Sequence, residues 1–226
     1  MEKGKTIWEM FRDRIADQPA IQIYNPLDQV VGMSLSLNAP QYKDYDFTIK
    51  EIREYTRKIA GKTFIFTDYV LEGMIKFDAA TSILVRLRVM PTESGTKDVI
   101  LLRLYDDLPY DRGLESAVRD TTGEFEVTYD DGERDGKGDV RKGGDTETYT
   151  RINDLRDSYS AKVMIITEFD EKLRAVMASA KTAELEYWDY WRELDESGRK
   201  RPQFLFVEMN KENGWFKIWQ GEPYYL

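Results

Sequence analysis

With no histidine and no cysteine among its 226 residues, the chain must do any chemistry with carboxylates, amines, hydroxyls and aromatic rings. The missing imidazole removes the usual general base near neutral pH and the commonest ligand of catalytic zinc, copper and non-haem iron. The missing thiol removes disulfides, sulfur-held metals and thiolate nucleophiles. What remains is oxygen chemistry, and its best candidate is "YDDLPYD", which gathers Asp106, Asp107 and Asp111 just behind an apolar strand. A magnesium- or manganese-dependent hydrolase or phosphotransferase places carboxylates this way, with water and substrate oxygens completing the ion's shell. Asp and Pro after a strand are equally the material of an ordinary turn.

A second acidic run, from Asp130 to Asp145, invites a calcium reading. In the register of a calcium-binding loop, Asp131, Glu133 and Asp135 take positions one, three and five, Gly136 takes the sharp turn and Asp139 follows. The closing position is Lys142, a cation where a bidentate glutamate belongs. With five glycines and almost no apolar residue, the stretch reads instead as a flexible, solvated loop. "SGRK" spells Ser-x-x-Lys from Ser197 to Lys200, but it sits in a turn with no companion motif. Phosphate-cradling glycine motifs and nucleophile elbows are absent. No cofactor and no metal site is expected, and the balance leans away from an enzyme.

The remaining chemistry is aromatic. "EYWDYWRE" sets two tyrosines and two tryptophans among charges, and four of the five tryptophans, Trp188, Trp191, Trp215 and Trp219, fall in the last 39 residues. On a strand, Tyr187, Asp189 and Trp191 share one side, while Trp188 and Tyr190 take the other. "NGWFKIW" likewise puts Trp215, Lys217 and Trp219 opposite Phe216 and Ile218. A patch formed by Trp188, Tyr190, Trp191, Trp215 and Trp219 has the composition of a protein-interaction hot spot or a ligand platform. The bland alternative is that these rings fill a core.

The elements behind these residues read as α+β, mostly antiparallel sheet. Ile7, Trp8, Phe11 and Ile15 give a short N-terminal helix, and residues near 168–183 give a longer one, with Leu173, Val176, Met177 and Ala180 on one face. "SILVRLRVM" and "DVILLRLY" form the clearest hairpin, and "AIQIY" with "VVGMSLSL" a second around "NPLD". "TTGEFEVTY", "TETYTRI" and "SAKVMIITE" read as further strands. Residues 47–60 and 184–194 carry signals for both helix and strand. Their surroundings share an order of features, with Phe64 and Phe66 matched by Phe204 and Phe206, then Lys76 by Lys217. That order suggests two similar three-stranded units, and it favours strands at both places.

The chain therefore reads either as one compact domain over 1–226 or as two β-rich halves, about 20–105 and 146–226, joined by an acidic segment with the flexible loop at 130–145. The formal charge of −9 is concentrated between Asp106 and Glu147, where 14 acids face 6 bases. A balanced remainder argues against nucleic acid, which needs a basic face. No apolar run approaches the roughly 20 residues of a membrane span, and no cleavable signal opens the chain. The leading expectation is a non-catalytic cytoplasmic binding or scaffolding protein with a protein or small-ligand partner, using an aromatic-rich sheet surface. The alternative is the carboxylate-metal enzyme centred on Asp106, Asp107 and Asp111. A third reading is a structural homo-oligomer that buries its aromatic face between copies.

Overall fold

The structure is a computed structural model, and it describes residues 25–59, 62–75, 78–92, 95–128, 146–152, 159–166, 181–196 and 199–225. The N-terminal helix, the "AIQIY" strand, the loop at 130–145 with its calcium register, and the helix over 168–180 lie outside the described residues. Residues 181–183, the last turn of that expected helix, are instead the start of a strand. Its ladder with the preceding strand runs back to Lys181, so tertiary pairing overrides local propensity there.

Among the described residues there are eleven strands and one α-helix. In chain order the strands are β1 (Ser34–Leu35), β2 (Tyr45–Ile59), β3 (Lys62–Ile75), β4 (Asp78–Pro91), β5 (Lys97–Leu108), β6 (Glu124–Thr128), β7 (Thr146–Arg151), β8 (Tyr159–Ile166), β9 (Lys181–Glu196), β10 (Arg199–Asn210) and β11 (Phe216–Pro223). The helix α1 (Arg112–Val118) follows β5. The sheet is antiparallel throughout, and both ambiguous segments are strands, within β2 and β9. Of the second strand expected around "NPLD", only Ser34 and Leu35 are strand, and they pair with β2. In the first of the two supposed three-stranded units, the segment from Glu72 is the end of β3 rather than a strand of its own. No helix among the described residues is long and apolar enough to cross a membrane.

Eight of the strands close on themselves. β2 to β5 and β8 to β11 are two four-stranded meanders; β5 pairs with β11 at one junction and β2 with β8 at the other. The register shows that one face is continuous around the ring. Tyr55 opposes Phe66, Asp68 opposes Arg88, Arg88 opposes Ile100 and Leu102 opposes Gly221. Further round, Trp219 opposes Phe206, Phe206 opposes Asp189, Leu185 opposes Ala161, and Val163 opposes Tyr55 again. Directly opposed residues share a side of the sheet, so all of these point into a closed eight-stranded barrel. Closure leaves the ring without the free edges that an open sheet exposes.

Among the described residues, two different pieces cover the outer face. Over β2 to β5 lies the segment before β2, whose Leu27, Val31, Leu35, Leu37 and Tyr42 pack on Ile52, Tyr69, Leu71 and Leu87. The Tyr69 hydroxyl pins it, donating to Asn25 and accepting from the Leu27 amide at 3.0 Å. Over β9 to β11 lie α1, β6 and β7, which bury Trp188, Tyr190, Leu205 and Val207 beneath Val118, Phe125, Val127 and Tyr149. Helix α1 is capped at its start by Asp111, whose Oδ1 accepts from the Leu114 amide at 2.7 Å.

Candidate functional site at the mouth of the barrel

The barrel interior is charged, and its charges come from the middle of the most apolar strands. Arg86 and Arg88 sit two residues apart on β4, so both point inward. They meet Asp68 from β3 and Glu208 from β10. Arg88 donates to both oxygens of Asp68 at 2.8 and 2.9 Å, and Arg86 to both oxygens of Glu208 at 2.7 and 3.0 Å. Longer contacts cross-link the pairs, Arg86 to Asp68 at 3.4 Å and Arg88 to Glu208 at 3.3 Å. All four side chains are buried, and buried charges are tolerable only when each is paired in this way.

Aromatic faces complete the cage: the Arg86 guanidinium lies 3.6 Å from the Trp219 ring centroid, and that of Arg88 lies 4.6 Å from Phe206 and 4.7 Å from Phe66. Burial alone would raise the pKa of Asp68, but the neighbouring Arg88 and Arg86 more than reverse this and hold it below the usual carboxylate value. The Tyr55 hydroxyl, with mainly burial acting on it, is pushed up to about 12.

The two ends of the barrel differ. At one end Arg57 of β2 reaches Asp189 of β9 with a two-pronged ion pair at 2.7 and 3.2 Å. That end is stitched shut. At the other end a recess of about 360 Å³ opens, lined by Arg53, Asp107, Glu208, Asn210, Asn213, Trp215 and Lys217 on one side and by Val163, Ile165, Ala183 and Leu185 on the other. Its floor is Glu208, the last member of the buried network. The apolar wall belongs to β8 and β9; the polar wall comes from β2, β5, β10, β11 and the turn between the last two.

A β-bulge aims the rim. Between Leu104 and Asp107, β5 carries one residue more than the facing stretch of β11, so Asp106 opposes the outward Ile218 while Asp107 opposes the inward Lys217. Asp107 accepts from Lys217 at 2.9 Å and from the Trp215 indole N–H. Arg53 is held beside it by Glu51, at 2.7 Å from its Nε. The turn fixes the amides: the carbonyl oxygen of Asn210 accepts from the Glu212 N–H at 2.8 Å, and that of Asn213 from the Trp215 N–H at 2.9 Å.

The five aromatic residues singled out in the sequence do not share one surface. Trp219 is fully buried inside the barrel, while Trp188 and Tyr190 are buried on the outer face under α1, β6 and β7. Trp191 and Trp215 remain 40% and 42% exposed, at opposite ends of the barrel. The three aspartates part company as well: Asp107 enters the mouth, Asp106 turns its carboxylate back to the Asp107 amide, and Asp111 caps α1. Among the described residues no three carboxylates converge on a point that would hold a metal.

The sequence reading passed over Asp68, Arg86, Arg88 and Glu208, yet they leave a signal. Each is a charge at an inward position with apolar residues on either side in the strand, as in "ILVRLRVM" and "FVEM". Fold and recess together define the class: among the described residues, a closed antiparallel barrel with an ion-paired interior and a two-sided recess at one end. Family models, curated proteins and solved structures offer no match to this chain, so its function rests on geometry.

Proposed function

We propose that the chain is a non-catalytic, cytoplasmic binding protein whose site is the barrel mouth rather than an aromatic sheet surface, and that its ligand is a small molecule apolar on one side and polar on the other. The observation that carries this reading is the divided lining of the recess, with four aliphatic side chains facing a wall of hydrogen-bonding and charged groups. Ligand sites are typically concave, largely apolar and equipped with a few fixed polar groups, and at about 360 Å³ this one is at the small end of their range. Small eight-stranded barrels leave room for one such molecule when part of the interior is unfilled. The buried ion pairs below make the floor rigid, which favours a preformed site. Against catalysis stands the engagement of the carboxylates: Glu208 is held by two arginines, and Asp107 by Lys217 and Trp215.

A panel of small amphiphiles tested by thermal denaturation checks the proposal. A ligand at about 100 times its dissociation constant adds about 2.7 kcal/mol, which reads as a clear rise in Tm. Ala183→Phe, which fills the apolar side of the recess, should leave the folded protein intact and remove the rise. A panel without effect, or a rise that survives Ala183→Phe, sinks the reading.

A further inference from the structure

We infer that the polar end of the ligand is a carboxylate, which Lys217 accepts in exchange for Asp107; this rests on the mouth being the ligand site. The polar wall of the recess can give more than it can take. Its acceptors are spoken for. Both oxygens of Glu208 are held by Arg86, one of them also by Arg88. The carbonyl oxygens of Asn210 and Asn213 are taken by backbone N–H groups of their own turn. The donors are more numerous: the ammonium of Lys217, the guanidinium of Arg53, the amide NH2 groups of Asn210 and Asn213, and the indole N–H of Trp215 all belong to residues lining the recess. A donor-rich wall recognises an acceptor-rich head, and a carboxylate accepts on both oxygens without giving anything back.

Of the ion pairs described at the mouth, Lys217–Asp107 is the most exposed and the cheapest to open. The Arg86, Arg88, Asp68 and Glu208 side chains are buried, and breaking them would strand a charge. Lys217 and Asp107 are 35% and 36% exposed, so Asp107 can swing into water when released. Exposed pairs of this kind are worth little net free energy. Asp107 thus occupies the place on Lys217 and the Trp215 indole that a ligand carboxylate would take, with the aliphatic tail of the ligand on Val163, Ile165, Ala183 and Leu185.

Titration of the full chain with octanoate and, separately, with octanol and octylamine, followed by calorimetry and tryptophan fluorescence, tests this. Octanoate should bind at least tenfold tighter than octanol. Lys217→Met should bring octanoate down to the octanol level, and Lys217→Arg should restore most of the difference. Asp107→Asn, which removes the internal competitor, should tighten octanoate several-fold and leave octanol unchanged. If octanol binds as well as octanoate, or octylamine binds tighter than either, the mouth is still a ligand site but the carboxylate assignment is wrong. If none of the three binds, the assignment and the ligand site fall together.

Discussion

Trp188 and Trp191 lie three residues apart in a strand, and that spacing decides their fates. Trp188 is 1% exposed and packs near Phe216 under the α1, β6 and β7 cover; Trp191 is 40% exposed at the closed end of the barrel. Removing a buried aromatic side chain typically costs about 3 to 5 kcal/mol, so Trp188→Ala should lose about that much in urea unfolding while Trp191→Ala loses a small fraction of it. Equal losses would mean that Trp191 is covered in solution. The buried network makes a pH-dependent prediction at the same scale. The pKa of Asp68 is lower in the folded than in the unfolded chain, so its contribution to stability is present above the unfolded value of about 4 and is lost as pH falls through the folded value. Breaking a buried pair by removing one partner costs about 3 to 5 kcal/mol. Asp68→Asn should therefore be less stable than the parent by about that amount at neutral pH, and the gap should narrow as pH drops below about 4. A gap independent of pH would show that Asp68 is not ionised in the fold.

At the scale of elements, alternation made most strands legible. "SILVRLRVM" and "DVILLRLY" became the β4–β5 hairpin because β-branched and leucine side chains suit a wall buried on both sides. The facing of Trp188 against Trp191, and of Lys217 and Trp219 against Phe216, followed from period two alone. The bulge in β5 was not legible, because an extra residue such as Tyr105 becomes visible only against the strand it fails to match. Alternation along β5 alone would have sent Asp106 inward and Asp107 out. Gly221 was silent for the same reason. It stands on the inner face of β11, where an added Cβ would meet the Leu102 side chain, the Ile100 side chain at 2.9 Å and the Leu101 carbonyl oxygen at 3.0 Å. A backbone oxygen cannot move aside as a side chain can. Gly221→Ala should destabilise by about 1 to 3 kcal/mol through overpacking, measured by chemical denaturation; an unchanged midpoint would mean that the β5–β11 junction is looser than drawn.

Closure is the property of the whole molecule that no local pattern carries. It depends on β2 meeting β8 and β5 meeting β11, pairings over a hundred residues apart in sequence. Nothing in either strand names its distant partner; what the sequence does hold is the ion pair that spans the junction, Arg57 on β2 and Asp189 on β9, hidden among ordinary-looking surface charges. Interior charges have the same logic, since Asp68, Arg86, Arg88 and Glu208 are affordable only if three strands from both meanders come together around them. Long-range pairings of this sort are late and slow to form, so the ring should fold in the millisecond-to-second range and unfold as one unit. Hydrogen exchange can test whether the β2–β8 junction belongs to that unit. The amides of the β2 segment from Ile52 to Arg57 that face β8 should be protected as strongly as those facing β3, and far more than those of β6, an edge strand with one neighbour among the described residues. Arg57→Ala should selectively speed exchange along the β2–β8 ladder, because it removes the ion pair that ties β2 to β9 beside that ladder, while the β4–β5 ladder keeps its protection. If the junction amides of the unaltered protein exchange as fast as those of β6, the barrel opens between β2 and β8, and the mouth is then a cleft between two sheets rather than the end of a closed ring.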